Sequence, residues 1–303
     1  MPVQRLEQGA GGMTELVLEI EGRTLVVGDD AGVIRVWRLG DRPAILRDIE
    51  PRFTNIDALV WLADHSGIVA AGRDGIGAWS LDGGEVGAWP VLDGAPQSLA
   101  VVNERHVLVG CDDSRLRLVD FSAGRVLGEV AAGERNTGIA PHPDGRRFAV
   151  SACDQGGSQI QWVAVEGESL RALDQPRVER GCDHLSAPAI DARGELLMVA
   201  DHRLGLFDIA TSERVAGFNA DGKVTRLRLG DGLLVARPWT QAVRLGERAL
   251  ACASPDGPVC VYDVGTRSLT RLDDLTRPAT ALAADGPVLA AASLDWTIVI
   301  WWP

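Results

Sequence analysis

A sevenfold repeat of one short strand pattern constrains the fold of this chain more than any other feature. Each copy is a four-residue, largely apolar run that often ends in an aromatic side chain. The copies are Ile34-Arg35-Val36-Trp37, Ile76-Gly77-Ala78-Trp79, Leu116-Arg117-Leu118-Val119, Ile160-Gln161-Trp162-Val163, Leu204-Gly205-Leu206-Phe207, Val259-Cys260-Val261-Tyr262 and Ile298-Val299-Ile300-Trp301. Their last residues are 42, 40, 44, 44, 55 and 39 positions apart. A unit of about 40 to 45 residues containing four short strands is the period of a β-propeller blade.

The remaining residues of each unit supply three further strands, so we name the strands a to d, with the repeated run as strand c. The chain has 303 residues, and its 35 glycines and 15 prolines provide frequent turns. We therefore predict an all-β protein, with residues 1–303 forming one seven-bladed β-propeller of four-stranded antiparallel blades.

The two ends of the chain predict how this ring closes. The sequence stops at Trp301-Trp302-Pro303, the end of a strand c, so the seventh unit has no strand d of its own. Val3-Gln4-Arg5-Leu6-Glu7 precedes the first strand a and is one strand too many. Because an unpaired sheet edge is unfavourable, we expect this amino-terminal strand to complete the carboxyl-terminal blade.

The 55-residue interval before the sixth copy contains additional sequence. Residues 223–239 read as a hairpin around Gly230-Asp231-Gly232, which is either an insertion at 219–239 or part of a degenerate eighth blade. We favour an insertion, because residues 248–272 already supply strands b, c and d of the sixth blade and about twelve extra residues are too few for another blade.

Turn motifs next to strand c give the chain a resemblance to a known family. The segments that carry it are Ser293-Leu294-Asp295-Trp296-Thr297-Ile298-Val299-Ile300-Trp301, Ser254-Pro255-Asp256-Gly257-Pro258-Val259-Cys260-Val261-Tyr262-Asp263 and Pro143-Asp144-Gly145. Over essentially its whole length the chain resembles the WD40-repeat family, although Arg38 and Ser80 follow the strand-c tryptophans where that family has aspartate. The resemblance implies a rigid protein-interaction scaffold that presents loops to a protein or peptide partner and has no catalytic activity.

Charge and composition narrow the possible partners. The net charge of −12 disfavours binding to nucleic-acid phosphate and to anionic membrane surfaces. No apolar run reaches the roughly 18 residues that a membrane helix needs. We therefore expect neither nucleic acid nor membrane as a partner, and no cofactor.

The amino terminus and the cysteines suggest a compartment. The first residues, MPVQRLEQGAGG, lack the apolar core of a signal peptide. The odd set of five cysteines has no CxxC spacing and is typical of buried thiols in a reducing compartment. We expect a cytoplasmic protein, and the near absence of lysine, with Lys223 alone, favours a bacterial source of high genomic GC content.

The first strands of a propeller line its central channel, where an enzyme of this fold would place its catalytic groups. Counting back from strand c to the matching position of strand a selects Glu15, Asp57, Ser98, Thr137, Ser186, Thr240 and Thr280. Because a hard cation needs about six oxygen ligands with several carboxylates, the two acids in this ring predict a channel lined by hydroxyl groups without a metal.

One cluster of polar residues supports an alternative function. Cys182-Asp183-His184 precedes the fifth blade, and Asp201-His202 lies in that blade's turn between strands b and c. Thiol, imidazole and carboxylate together could form a hydrolase nucleophile or a zinc site. The other interpretation is a polar surface loop in which aspartate caps a turn, as it does in every unit.

We expect a partner to bind on the face that carries the b–c turns. Trp296 follows the turn aspartate of the last unit, where other units have Ser114, Arg203 or Gly257, so its side chain should face solvent. The predicted partner-contacting residues are Trp296, Arg73, Arg115, His184, His202, Arg203, Glu15 and Asp57.

Overall fold

The computed structural model describes residues 3–7, 12–19, 23–87, 89–132, 135–154, 157–174, 178–180, 188–200, 204–218, 241–253, 259–293 and 295–303. Every regular element in these ranges is a β-strand, and the strands form seven antiparallel sheets arranged in a ring. The described ranges contain no helix with the length and apolar character needed to cross a membrane. The predicted seven-bladed propeller is confirmed.

The first strand of the chain, β1 (Val3–Glu7), pairs with the last blade. The first three blades then follow in chain order. Blade one consists of β2 (Met13–Glu19), β3 (Thr24–Asp29), β4 (Ile34–Arg38) and β5 (Ala44–Ile49). Blade two has β6 (Ala58–Trp61), β7 (Gly67–Gly72) and β8 (Gly75–Ser80). Blade three has β9 (Pro96–Val101), β10 (His106–Cys111), β11 (Arg115–Asp120) and β12 (Arg125–Ala131).

The remaining blades repeat this arrangement. Blade four has β13 (Arg135–Pro141), β14 (Arg147–Asp154), β15 (Gly157–Glu166) and β16 (Ser169–Ala172), and an unpredicted short strand, β17 (Val178–Arg180), also pairs with β15. Blade five has β18 (Ala189–Ile190), β19 (Leu196–Ala200), β20 (Leu204–Asp208) and β21 (Arg214–Phe218). Blade six has β22 (Gln241–Leu245), β23 (Ala249–Ala253), β24 (Val259–Asp263) and β25 (Ser268–Leu272). Blade seven has β26 (Ala279–Asp285), β27 (Val288–Ser293) and β28 (Thr297–Trp301).

Ring closure follows the prediction. β1 pairs antiparallel with the outer edge of β28, with Val3 opposite Trp301 and Leu6 opposite Ile298. Leu6 is only 3 % exposed and packs in the core between blades seven and one. Blade seven therefore takes its fourth strand from the other end of the chain.

Blade two departs from the predicted four strands. In the described residues after β8, a single β-bridge between Trp79 and Glu85 and a hydrogen bond from the Val86 amide to the Ala78 carbonyl take the place of the predicted fourth strand. Beyond it, Gly87 has a φ of 74° and turns the chain toward blade three. There Trp89 stacks on Phe121, with ring centroids 5.4 Å apart. The chain leaves the sheet edge because this aromatic contact is made with the next blade.

The hydrophobic core lies between successive blades. All residues of β3, β7, β10 and β27 are buried, since each of these b strands is covered on both faces by neighbouring sheets. The strand-c aromatics Trp37, Trp79 and Trp301 are likewise buried. Each such side chain contributes about 2 kcal/mol through removal of apolar surface from water.

The interval before β22 lies outside the described residues. Both interpretations of 219–239, insertion or degenerate blade, concern this part of the chain.

Candidate functional site

A central channel is a large concave feature of the ring. Its cavity has a volume of about 800 Å³ and is lined by residues from the first strands of all seven blades. Because strand a runs antiparallel to strand b, each strand a begins at the face that carries the b–c turns, here called the b–c face. Glu15, Asp57 and Ser98 lie at this end of the channel.

A β-bulge at the start of strand a changes which residues occupy equivalent positions. In blades one, three, four and seven the ladder between strands a and b contains one extra residue on strand a, and these extra residues are Thr14, Gln97, Thr137 and Thr280. Glu15 and Ser98 lie one residue further along and pair directly with Gly28 and Gly110. Thr137 and Thr280 are themselves extra residues, whereas Glu15 and Ser98 follow one, so these four of the seven residues counted back from strand c do not hold equivalent positions. The expected ring of equivalent side chains is therefore wrong for these four.

Asp57 occupies a position like that of the extra residues. Asp57 immediately precedes β6, and its amide donates to the carbonyl of Ala71 at 2.8 Å. Ala71 is also the residue that pairs with Ala58, the first residue of β6. The neighbouring bulge joins blades one and two, since the Thr14 hydroxyl donates to the carbonyl of Ile56 at 2.6 Å. These contacts bring the Glu15 and Asp57 carboxyl groups together at the channel mouth.

The electrostatics of this pair differ from those of surface acids. Burial, and secondarily the charge of Asp57, raise the pKa of Glu15 from 4.5 to about 8. Burial also raises the pKa of Asp57, although Arg73 and a hydrogen bond from the Asn55 amide oppose this effect. Glu15 is therefore largely protonated at neutral pH, whereas Asp57 has donors that stabilise its charge.

Two hydroxyl groups near the channel mouth are buried without a partner. Ser98 is 4 % exposed, and no hydrogen-bond partner for its Oγ lies within the described ranges. The same holds for Oγ1 of Thr280 in blade seven. The remaining predicted channel hydroxyls, Thr137, Ser186 and Thr240, have side chains outside the described part of the structure.

Trp296 lies on the b–c face with 46 % of its surface exposed, as predicted. Its backbone has a φ of 65° and its amide donates to the carbonyl of Ser293 at 3.0 Å, which closes the b–c turn of blade seven. Gly32 and Ser114 hold the same position in blades one and three, with φ of 78° and 67°. This left-handed conformation is unfavourable for a bulky residue, so Trp296 costs the turn stability that glycine would not.

The other predicted contact residues are distributed over several blades. Arg73 is exposed beside Asp57, whereas Arg115 is exposed on blade three and pairs with Glu129 at 3.6 Å. His184, His202 and Arg203, together with Cys182, Asp183 and Asp201 of the alternative hydrolase or zinc site, lie outside the described residues.

A second group of polar side chains lies on the opposite face, where sequence analysis predicted nothing. Ligand atoms of His106, Asp120 and Glu168 come within 4.8 Å of one another. His106 and Asp120 are buried partners across β10 and β11, whereas Glu168 comes from the exposed turn between β15 and β16 of the next blade. No sequence motif indicates this cluster, because the packing of two blades creates it.

The hydrogen bonds around this cluster do not fit a metal ion. Oδ1 of Asn103 accepts from the amides of Arg105 and His106 at 2.9 and 3.0 Å, which orients its Nδ2 toward Nδ1 of His106 at 3.2 Å. Nδ1 of His106 is therefore positioned to accept a hydrogen bond from this amide. A metal-binding histidine needs the reverse arrangement, with the second nitrogen donating its proton.

The carboxylates of the cluster already have cationic partners. Asp120 accepts from Arg105 at 2.8 Å, and Glu168 lies 3.3 Å from Arg125. Oδ1 of Asp120 also accepts from the Ser122 hydroxyl at 2.6 Å, from its amide and from the amide of Ala123. The cluster therefore stabilises the turn between β11 and β12 of blade three.

The described thiols do not provide a nucleophile. Cys111, Cys252 and Cys260 are buried thiols that form no disulfide, as predicted for these residues. Burial raises the pKa of Cys111 to about 11 and that of Cys260 to about 12, so both remain protonated at neutral pH.

Comparison with known proteins adds no family assignment. No model of a known protein family matches the chain, and no curated protein shows significant sequence similarity to it.

Proposed function

We propose that this protein is a non-enzymatic interaction module, a divergent WD40-like propeller that binds a protein or peptide partner on its b–c face. The exposed side chain of Trp296, held in an unfavourable backbone conformation, is the observation that carries the proposal. A strained and exposed aromatic residue is more consistent with a binding contact than with packing, because glycine or serine builds the same turn in other blades. The rigid ring beneath the turn supports such a contact.

The test compares Trp296→Gly with the wild-type protein. A partner is first identified by affinity purification and mass spectrometry, and its affinity is then measured for both proteins. We expect partner binding to weaken more than tenfold, as is common for an interface tryptophan. The melting temperature should stay equal or rise, because glycine relieves the strain of a positive φ by about 1 kcal/mol.

A matched control uses another exposed apolar residue. Leu46 on β5 is 52 % exposed at the outer rim of blade one, so Leu46→Ala should leave the affinity unchanged. A Trp296→Gly protein that is less stable, with unchanged affinity per folded molecule, would assign Trp296 to packing. Stoichiometric zinc, or turnover of an ester or phosphate by the purified protein, would contradict the non-enzymatic part of the proposal.

A further inference from the structure

The Glu15 carboxyl group at the channel mouth lacks a partner that would stabilise its charge. Within the described residues no hydrogen-bond donor contacts it, and Asp57 is the charged group that acts on it. Asp29, on the adjacent β3, is occupied by the amides of Ala31 and Val33 in its own turn. When two carboxyl groups are neighbours in a partly dehydrated cavity, the pKa of one is raised unless a cation stabilises both charges.

The other charged residues that line the channel lie toward its opposite end, so they do not stabilise the charge of Glu15. Asp285 lies at the end of β26, and Arg244 and Glu247 lie at or beyond the end of β22, all toward the opposite face. His65 also lines that end, where its ring stacks on Trp61 with centroids 5.9 Å apart. Among the described residues, Arg73 is a cation near the mouth, and its positive charge opposes the rise in the pKa of Asp57.

The orphan hydroxyl of Ser98 is an independent indication of a ligand in the same cavity. Ser98 has the same ladder position on blade three as Glu15 has on blade one, and both residues line the cavity. Its Oγ is buried without a hydrogen-bond partner in the described part of the chain. A buried polar atom without a partner loses about 1–3 kcal/mol of solvation, which a bound donor would restore.

We propose that the channel mouth at the b–c face binds an organic cation, an alkylammonium or guanidinium group, with Glu15, Asp57 and Ser98 accepting its hydrogen bonds. Such a group carries several N–H donors and one positive charge, which match two carboxyl groups and one hydroxyl group. A calcium ion fits less well, since it requires six or more oxygen ligands. The net charge of −12 attracts cations to the protein.

Binding must be coupled to release of a proton. In the free protein the Glu15 carboxyl group is largely protonated at neutral pH. The cation pairs with the carboxylate, so the O–H bond of Glu15 breaks and its proton passes to solvent as the ion pair forms. The affinity should therefore rise with pH until Glu15 is ionised in the free protein as well.

Isothermal titration calorimetry with butylguanidinium chloride tests this inference, with neutral butylurea as the isosteric control. From about pH 6.5 to about pH 8.5 the affinity should increase about twentyfold, and near pH 7 about one proton should be released per cation bound. Titrations in buffers of different ionisation enthalpy count these protons. Equal affinity for butylurea, or binding without proton release, would overturn the proposal.

Variants locate the site. Glu15→Gln should weaken binding at least tenfold above pH 8 and abolish its pH dependence, while Ser98→Ala should weaken binding but keep the pH dependence. Glu104→Gln removes one exposed acid on the opposite face and should change neither. Unchanged binding by Glu15→Gln would place the cation elsewhere. The measurement needs no protein partner, so it is independent of the proposed interaction through Trp296.

Discussion

At the scale of single residues, Glu15 shows how burial changes the chemistry of an ordinary acid. The residue follows the bulge of β2, and it retains some accessible surface where it lines the channel. Removal of water and the proximity of Asp57 both favour its neutral form. Because a neutral carboxylic acid can donate a hydrogen bond while a carboxylate cannot, the state of Glu15 determines which ligands the channel mouth accepts.

Glu15 should also make the stability of the protein depend on pH. The raised pKa means that the folded state binds more protons than the unfolded state between about pH 4.5 and about pH 8. The free energy of unfolding should therefore fall as the pH rises through this window. Glu15→Gln should remove this loss and stabilise the protein at about pH 9 by several kcal/mol, because each tenfold change in an acid dissociation constant corresponds to about 1.4 kcal/mol. The effect near pH 4.5 should be small.

Urea unfolding at several pH values measures the effect. Glu104→Gln, which removes an exposed acid, provides the baseline. If wild-type protein and Glu15→Gln show parallel pH profiles, Glu15 is ionised at neutral pH and its burial has been compensated.

At the scale of strands and turns, small departures from a regular ladder position the functional groups. The extra residue at the start of strand a bends the strand and directs its first side chains at the channel mouth. In blade two, stacking of Trp89 on Phe121 replaces a fourth strand. Local packing therefore decides the position of the bulge and the number of strands in a blade, which the sequence period does not specify.

The c–d turn of blade three depends on Asp120. Its buried carboxylate accepts bonds from Ser122, Ala123 and Arg105, and the Ser122 hydroxyl makes the main contribution that lowers its pKa to about 2. Asp120→Asn replaces one acceptor oxygen by a donor, so we expect a loss of about 2 kcal/mol of stability. The contribution of Asp120 should persist at neutral pH and disappear only as the pH falls from about 4 toward 2.

Thermal unfolding checks this prediction, and Asp208→Asn is its matched control. Asp208 caps the equivalent turn of blade five by accepting from Thr211 at 2.8 Å, but it is only partly buried. Water can replace its lost bond, so the control should unfold at nearly the wild-type temperature. Equal destabilisation by both substitutions would show that burial of Asp120 is unimportant.

At the scale of the whole molecule, one strand closes the ring. Deletion of residues 1–7 should expose the edge of β28 and leave the core without Leu6, which is 3 % exposed. Loss of a buried leucine alone costs about 2–5 kcal/mol, and an open edge promotes association. We expect a lower melting temperature or aggregation in light scattering.

A substitution within β1 serves as the control, because it changes the sequence of the strand but keeps its pairing with β28. Val3 is 40 % exposed, so Val3→Thr should keep the strand and the wild-type stability. A truncated protein that melts like the full-length chain and stays monomeric would show that blade seven is stable with three strands.

The sequence alone determined the number of blades and the closure of the ring. Strand c recurs because its apolar side chains must fill the space between every pair of neighbouring sheets, and this packing requirement is visible as a period. Ring closure followed from counting strands. The strand that ends at the last tryptophans had no outer neighbour, and Val3–Glu7 was the strand left over to pair with it. Exposure of Trp296 was also predictable, because its turn position is filled by small or polar residues in other blades.

Only the tertiary structure decided which polar groups meet and which are dehydrated. Glu15, Asp57 and Ser98 come from three blades, and a one-residue bulge selects which side chains reach the channel. His106, Asp120 and Glu168 likewise meet through packing of two blades. Hydrophobic periodicity reports what faces the core, but the pKa of an acid and the partner of a hydroxyl group depend on neighbours far away in the chain.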